Sequence, residues 1–375
     1  MSKGWKLAGK IILWLIAGIL LAVILFFAVL TVMEFKPEDE EILTIDEGTD
    51  EEEKGRSLSA SAEQSVPAAG DTVTVMTWNT GYAGLGEESD FFMDGGENVA
   101  SADRETVEEN IEAIRQQIGE TDADVVFLQE VDLNSKRSYY INEYQTYLAG
   151  LDYPYGSFAE NYKCLYVPYP LPTIGKVDSG IATLSRYELT ESTRIALPCP
   201  FSYPVRMCNL KRCLMVSRIA VAGSEKELVL VNLHLEAYDD GEGKKAQTEA
   251  LKNVLEEETK KGNYVIAGGD FNQSFSNYDN SAYACIDEDY WVPGEIDISS
   301  FSDSLTFLTD NRVPTCRSLD RPLAGNDPDP DRFQYYVIDG FIVSDNLTVQ
   351  SVETKDLSFV NSDHNPIVLT LQLEE

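Results

Sequence analysis

The residues from Ile11 to Val32 form an apolar run free of charge, and Lys3, Lys6 and Lys10 precede it. About 20 apolar residues at ~1.5 Å each cross the hydrocarbon core of a bilayer, whereas the apolar part of a cleavable signal peptide is only about 7–15 residues long. The run is therefore read as an uncleaved transmembrane anchor over residues 11–32 behind a basic tail over residues 1–10. A cleaved signal peptide is the alternative: Ala28 lies near the end of the run, but no A-x-A-like site follows it. Lysines before the span and Glu34, Glu38, Asp39, Glu40 and Glu41 after it place the N-terminus in the cytoplasm by the positive-inside rule. The expectation is a single-pass protein of the cell membrane whose remaining residues are extracytoplasmic.

Residues 33–70 are acidic and then rich in Ser and Ala, with few large apolar side chains. Such a segment buries too little to offset the entropy of ordering and is expected to be a self-repelling linker. From residue 71 to 375 the pattern becomes that of one α/β (α+β) domain. Residues 72–78, 125–128, 228–235, 264–267, 336–343 and 367–373 read as strands, and 104–118 and 244–260 carry helical periodicity. The stretches 153–177 and 311–332, rich in Pro, Tyr and Asp, are expected as long irregular loops. With a formal net charge of −35, a basic surface for coating nucleic acid is excluded, because that binding is largely phosphate neutralisation by Lys and Arg.

Polar residues gather where these strands end. The first strand stops at Asn79, the second at Gln129-Glu130, and the strand 264–267 runs through Gly268-Gly269 into Asp270-Phe271-Asn272. Asp339 interrupts an apolar run, and Ser362-Asp363-His364 stands just before the last strand. The chain has only two histidines, and both His234 and His364 fall in such positions.

Trp78-Asn79, Gln129-Glu130, Asn232-Leu233-His234, Gly269-Asp270-Phe271-Asn272, Ile338-Asp339 and Ser362-Asp363-His364, in that order, resemble the endonuclease/exonuclease/phosphatase superfamily of metal-dependent phosphoesterases. The resemblance implies two mixed β-sheets packed as a sandwich with helices on the outer faces, and a site at one edge of it. It also implies a divalent cofactor, Mg²⁺ with Mn²⁺ as an alternative, as one or two ions. Asn79 and Glu130 are hard oxygen donors suited to Mg²⁺. A second position would be shared by Asp270, Asn272 and Asp363.

By the same resemblance Asp270 orients or deprotonates the attacking water and Asn272 hydrogen-bonds the phosphoryl oxygens. His364 is either a base or a charged phosphate ligand, with Asp339 fixing its tautomer. His234 stabilises transition-state charge or protonates the leaving group. For the substrate, Arg206, Lys211 and Arg212, in the densest cationic cluster of an acidic domain, and Arg317, upstream of Asp339, are the candidate phosphate or headgroup contacts, with a solvated charge run as the alternative for the cluster. Residues 176–186 are similar to a scaffold stretch of sphingomyelinase-like branches, and the tyrosines between 153 and 169 suit either a membrane interface or a loop packed by its own aromatic residues. The six cysteines permit disulfides but fix no pairing.

The expected function is hydrolysis of a phosphodiester or phosphomonoester of a lipid or small molecule, with the membrane as partner through the N-terminal helix and no stable nucleic-acid partner. A cell-surface nuclease acting on extracellular DNA or RNA is the alternative. A non-catalytic binding module that retains the fold is a third reading, whose signature would be loss of a central residue; none is lost.

Overall fold

The computed structural model describes residues 3–48, 66–239, 241–287 and 290–374. Helix α1 (Lys3–Val32) is continuous, so the basic tail from Lys3 onward forms its first turns. Its segment Leu7–Val32, with mean hydropathy 3.1, is long and apolar enough to cross a membrane.

The chain continues through β1 (Glu40–Ile42), β2 (Ile45–Glu47), β3 (Thr72–Asn79), α2 (Arg104–Thr121), β4 (Val125–Asp132), α3 (Glu143–Gly150), β5 (Tyr155–Val167), β6 (Gly175–Ser185), β7 (Glu191–Ala196), β8 (Cys213–Ala220) and β9 (Glu227–His234). After α4 (Glu242–Lys260) come β10 (Tyr264–Asp270), β11 (Gln273–Phe275), β12 (Gly294–Ile296), β13 (Leu305–Leu308), β14 (Cys316–Arg317), β15 (Tyr335–Tyr336), β16 (Asp339–Ser344), β17 (Leu347–Thr354) and β18 (Ile367–Leu373). Two seven-stranded mixed sheets result, ordered β1-β7-β8-β9-β10-β16-β13 and β17-β18-β3-β4-β6-β5-β2.

Central strands are buried on both faces, which is why they read as nearly unbroken apolar runs. Val73 and Val75 of β3, with Val125 and Phe127 of β4, point between the sheets and meet Leu228, Leu230 and Ile266 of the other sheet. Met76, Trp78, Val126 and Leu128 point the opposite way, onto Val107, Ile111, Ile114 and Ile118 of α2. Those four helical residues recur at the spacing of one helix face. Asp103 caps the helix by accepting from Thr106 N at 2.9 Å. Helix α4 covers the second sheet in the same way through Leu251 and Leu255. Each such aliphatic side chain contributes about 1.5–3 kcal/mol by leaving water.

Two expectations are corrected. The linker assigned to 33–70 is not loose over its first part, because β1 pairs with β7 and β2 with β5, extending one edge of each sheet. Acidic side chains do not prevent this: backbone groups pair, Leu43 packs on Ala159, Ile181, Cys213 and Met215, and Asp46 accepts from Tyr144 Oη at 2.8 Å. The part of that segment from 49 to 65 lies outside the described residues. Likewise 153–177 is not an irregular loop but holds β5, paired with β6 over most of its length. Aromatic residues, dense there, favour strands as readily as loops.

At the paired ends of β9 and β10 the backbone leaves room only for glycine. Gly269 has φ +152°, and a Cβ there would lie 1.9 Å from Leu233 O in the neighbouring strand. Gly269→Ala is expected to destabilise the fold by roughly 3 kcal/mol or more. Gly70→Ala, left-handed but in open space, should remove only about 1–2 kcal/mol. Thermal melts of the detergent-solubilised protein compare the two, and equal losses would refute the steric argument.

Candidate active site

Register brings the polar strand ends to one edge of the sandwich. Strand β10 places Asp270 beside His234 of β9 on one side and beside Asp339 of β16 on the other. Across the sandwich, the parallel pairing of β3 with β4 ends at Asn79 and Gln129. The pairing of β18 with β3 delivers the preceding Ser362-Asp363-His364 to the same edge. Between Leu128 and Val131 the register with β6 shifts, and Glu130 takes a left-handed φ of 53°. This bulge turns the Glu130 carboxylate toward Asn79. Asn272, just after β10, also has a positive φ, 51°.

The resulting cluster is tightly connected. Asn79 Nδ2 donates to Asp270 Oδ2 at 3.0 Å and to Glu130 Oε1 at 3.4 Å, and lies 3.4 Å from His364 Nε2. Asp270 Oδ2 is also 3.4 Å from His234 Nε2 and 3.8 Å from His364 Nε2. Its Oδ1 accepts from Asn272 N at 2.8 Å. His364 Nδ1 pairs with Asp339 Oδ2 at 2.9 Å. Beneath them Gln129 Nε2 donates to Asn232 Oδ1 at 2.8 Å, and Asn232 Nδ2 donates to Ala182 O at 2.8 Å, so the floor is bolted across both sheets.

Burial and neighbouring charge set the protonation landscape. Burial, with Asp339 alongside, pushes the Asp270 carboxyl up to about 7. Burial, with Glu130 adding to it, pushes Asp363 up to about 6. Burial works against a charged His364, but the Asp339 carboxylate overcomes it and holds the imidazole well above its ordinary range. His234 goes the other way, lowered by burial and by the Arg212 guanidinium. Its Nδ1 is buried without a hydrogen-bond partner among the described residues, while the side chain lines the cleft.

A sequence profile of the endonuclease/exonuclease/phosphatase family matches residues 76–364, from β3 to His364. The chain belongs to this family. It is thus an enzyme of the phosphoric ester hydrolase class, whose members use divalent metals. No curated protein matches the chain in sequence. Among solved structures, an endonuclease/exonuclease/phosphatase from Beutenbergia cavernae DSM 12333 is similar, with TM-score 0.54 and 17% identity, covering 81% of this chain and 72% of that one. The human Nocturnin catalytic domain matches with TM-score 0.48 and 18% identity over 80% of this chain and 94% of its own. A family protein from Leptotrichia buccalis C-1013-b gives 0.48 and 18% over 80% and 100%. The first of these supports the sandwich fold.

The family's divalent ion has a suitable donor set here. Glu130 and Asp363 are two hard carboxylates, and the Glu130 charge raises the cost of ionising Asp363, a repulsion that a bound cation would remove. Asn79, expected as a ligand, has its Oδ1 accepting from Gly81 N at 3.1 Å while its Nδ2 faces the Glu130 and Asp270 carboxylates. Atoms of Asp270, Asp339 and His364 also lie within 4.8 Å of one another.

The four expected substrate cations are not gathered at this cluster. Arg206 and Lys211 hold Glu34 at the foot of α1, at 2.8 and 3.8 Å. Arg212 does line the cleft but is paired with Glu236 at 3.4 Å and donates to His234 O at 3.2 Å. The buried Arg317 guanidinium donates to the carbonyls of Ser318, Leu85, Gly86 and Ser89, which makes it a loop clamp at the cleft wall. Conversely, Arg137 went unnoticed in the sequence. It grips Asp132 at 2.9 Å, reaches 4.0 Å from Glu130, and stacks 3.7 Å over the Tyr82 ring. Asp94 and Tyr238, joined at 3.1 Å across the cleft mouth, were equally invisible, since no motif surrounds them. All six cysteines are free thiols.

Proposed function

We infer that the protein is a membrane-anchored, Mg²⁺-dependent phosphoesterase that holds its domain on the extracytoplasmic side and hydrolyses a phosphodiester or phosphomonoester of a lipid or small molecule. The observation that carries the reading is the convergence of both histidines on Asp270 Oδ2, at the floor of a cleft whose remaining wall is largely apolar. When bound, the cation compensates charge on the phosphoryl oxygens and acidifies water.

The chain's own groups cover the rest of the reaction. Asp270 orients the attacking water and accepts its proton as the new P–O bond forms. His364, locked by Asp339, supports the phosphoryl oxygens opposite, and Asn272 lies beside them. His234 stabilises the charge that develops as the ester P–O bond breaks, and the leaving oxygen takes its proton from solvent water as it departs.

Hydrolysis by the full chain in detergent, with and without Mg²⁺, on sphingomyelin, phosphoinositides, glycerophospholipids and single- and double-stranded DNA tests the assignment. Metal-dependent turnover of a lipid is the expected result. Turnover of DNA in its place would overturn it in favour of a cell-surface nuclease, despite a charge of −35 that opposes binding a polyanion.

A further inference from the structure

A cleft of about 600 Å³ leads from the catalytic floor to the foot of α1, and its wall changes character on the way. Asp270, His234 and His364 stand at the inner end, while Phe27 and Leu30 of α1 join Val167 and Met207 at the outer end. The helix is seated on the domain. Leu30 is 4% exposed, Thr31 Oγ1 donates to Met207 Sδ at 3.1 Å, and the Phe26 and Tyr166 rings meet edge to face with centroids 6.3 Å apart.

Two segments frame the mouth beside this helix, the turn between β5 and β6 and the loop between β7 and β8. They present Tyr169 at 70% exposure, Leu171 at 88%, Tyr203 at 55% and Val205 at 57%. Large apolar side chains this exposed, adjoining a helix able to cross a bilayer, mark a surface that meets lipid. Charge agrees with this. Residues 161–177 and 192–224 contain no Asp or Glu in a chain that has 64, so the face flanking α1 does not repel anionic headgroups.

We propose that this face lies in the headgroup layer of the leaflet where α1 ends, and that substrate enters the cleft sideways from that leaflet. The substrate class is a phosphate ester of a membrane amphiphile, with its ester at the histidines and its hydrocarbon chain along Phe27, Leu30 and Met207. The proposal rests on the lipid phosphoesterase reading and narrows it: the enzyme acts on the membrane that holds it. Drawing a hydrocarbon chain into water is unfavourable for every CH₂ exposed. An apolar path from bilayer to site avoids that cost.

The test reconstitutes the full chain in phosphatidylcholine vesicles carrying sphingomyelin, phosphatidylglycerol or a phosphatidylinositol phosphate, with bis(p-nitrophenyl) phosphate as the water-soluble ester. Leu171→Asp and Tyr203→Asp are expected to lower bilayer-lipid turnover about tenfold, as a charge pushed toward the interface should, and to leave soluble-ester turnover unchanged. Lipid turnover by wild type that survives both variants overturns this inference while the lipid reading stands. Turnover of the soluble ester with none of the lipids overturns both. Independently of activity, Leu171→Trp is expected to add fluorescence that acyl-brominated lipids quench beyond the contribution of Trp5 and Trp14. Added emission that stays unquenched overturns the placement of the rim.

Discussion

His364→Ala and Asp270→Ala are each expected to lower turnover by about 10²- to 10⁴-fold, the range for loss of general acid–base or electrostatic catalysis. The fold should survive the first change, because the bonds tying this segment down are made by backbone. Trp78 Nε1 donates to His364 O at 2.8 Å, and His364 N donates to Ser362 Oγ at 3.2 Å. Only the imidazole is lost, and with it the Asp339 contact and the approach to Asp270. Asp339→Asn should fall between these variants and wild type, since it leaves the ring in place but removes the carboxylate that orients and charges it. Arg206→Ala, far from the cluster and paired with Glu34, should leave soluble-ester turnover unchanged. The measurement is steady-state hydrolysis of bis(p-nitrophenyl) phosphate with unfolding followed in parallel. Near-normal rates in His364→Ala or Asp270→Ala would remove those residues from the chemistry.

The parts of this site that were legible in sequence are those where chemistry contradicts local pattern. An aspartate inside Val337-Ile338-Asp339-Gly340-Phe341 or two glycines before Asp270 are out of place in a buried strand, and only two histidines compete for attention. The central strands were legible for a related reason: buried on both faces, they are apolar without alternation. Edge strands β1 and β2 were hidden, because what places them is backbone pairing to partners more than a hundred residues away. Composition reports on side chains, so acidic residues facing solvent looked like a tether. The cationic cluster shows a limit of the opposite sense. Arg206 and Lys211 are near one another in sequence, but the charge they answer is Glu34, buried at the foot of α1. Arg137 shows the same limit, for its importance comes from Glu130, Asp132 and Tyr82 meeting in space.

Chelation of divalent ions is expected to abolish turnover and Mg²⁺ to restore it, and the ligand set can be read without any assay of activity. An ion that binds only the folded state at about 100 times its Kd adds roughly 2.7 kcal/mol of stability, so Mg²⁺ should raise the melting temperature of the wild-type protein. Glu130→Ala should weaken that response and raise the Mg²⁺ needed for half-maximal turnover by about 10- to 100-fold, as loss of a supporting carboxylate does at other metal sites. Asp363→Asn should do the same. In the absence of metal the sign reverses: removing either carboxylate relieves the repulsion between them, so both variants should melt no lower than the chelated wild type. Asn79→Ala is the discriminating case, because its amide nitrogen braces Glu130 and Asp270 while its oxygen serves Gly81 N. A positioning role predicts a loss of turnover at saturating Mg²⁺, where ligand loss alone would be compensated by concentration. Full recovery of Asn79→Ala at high Mg²⁺ would return it to the ligand set, and an unchanged Mg²⁺ response in Glu130→Ala would remove Glu130 from it.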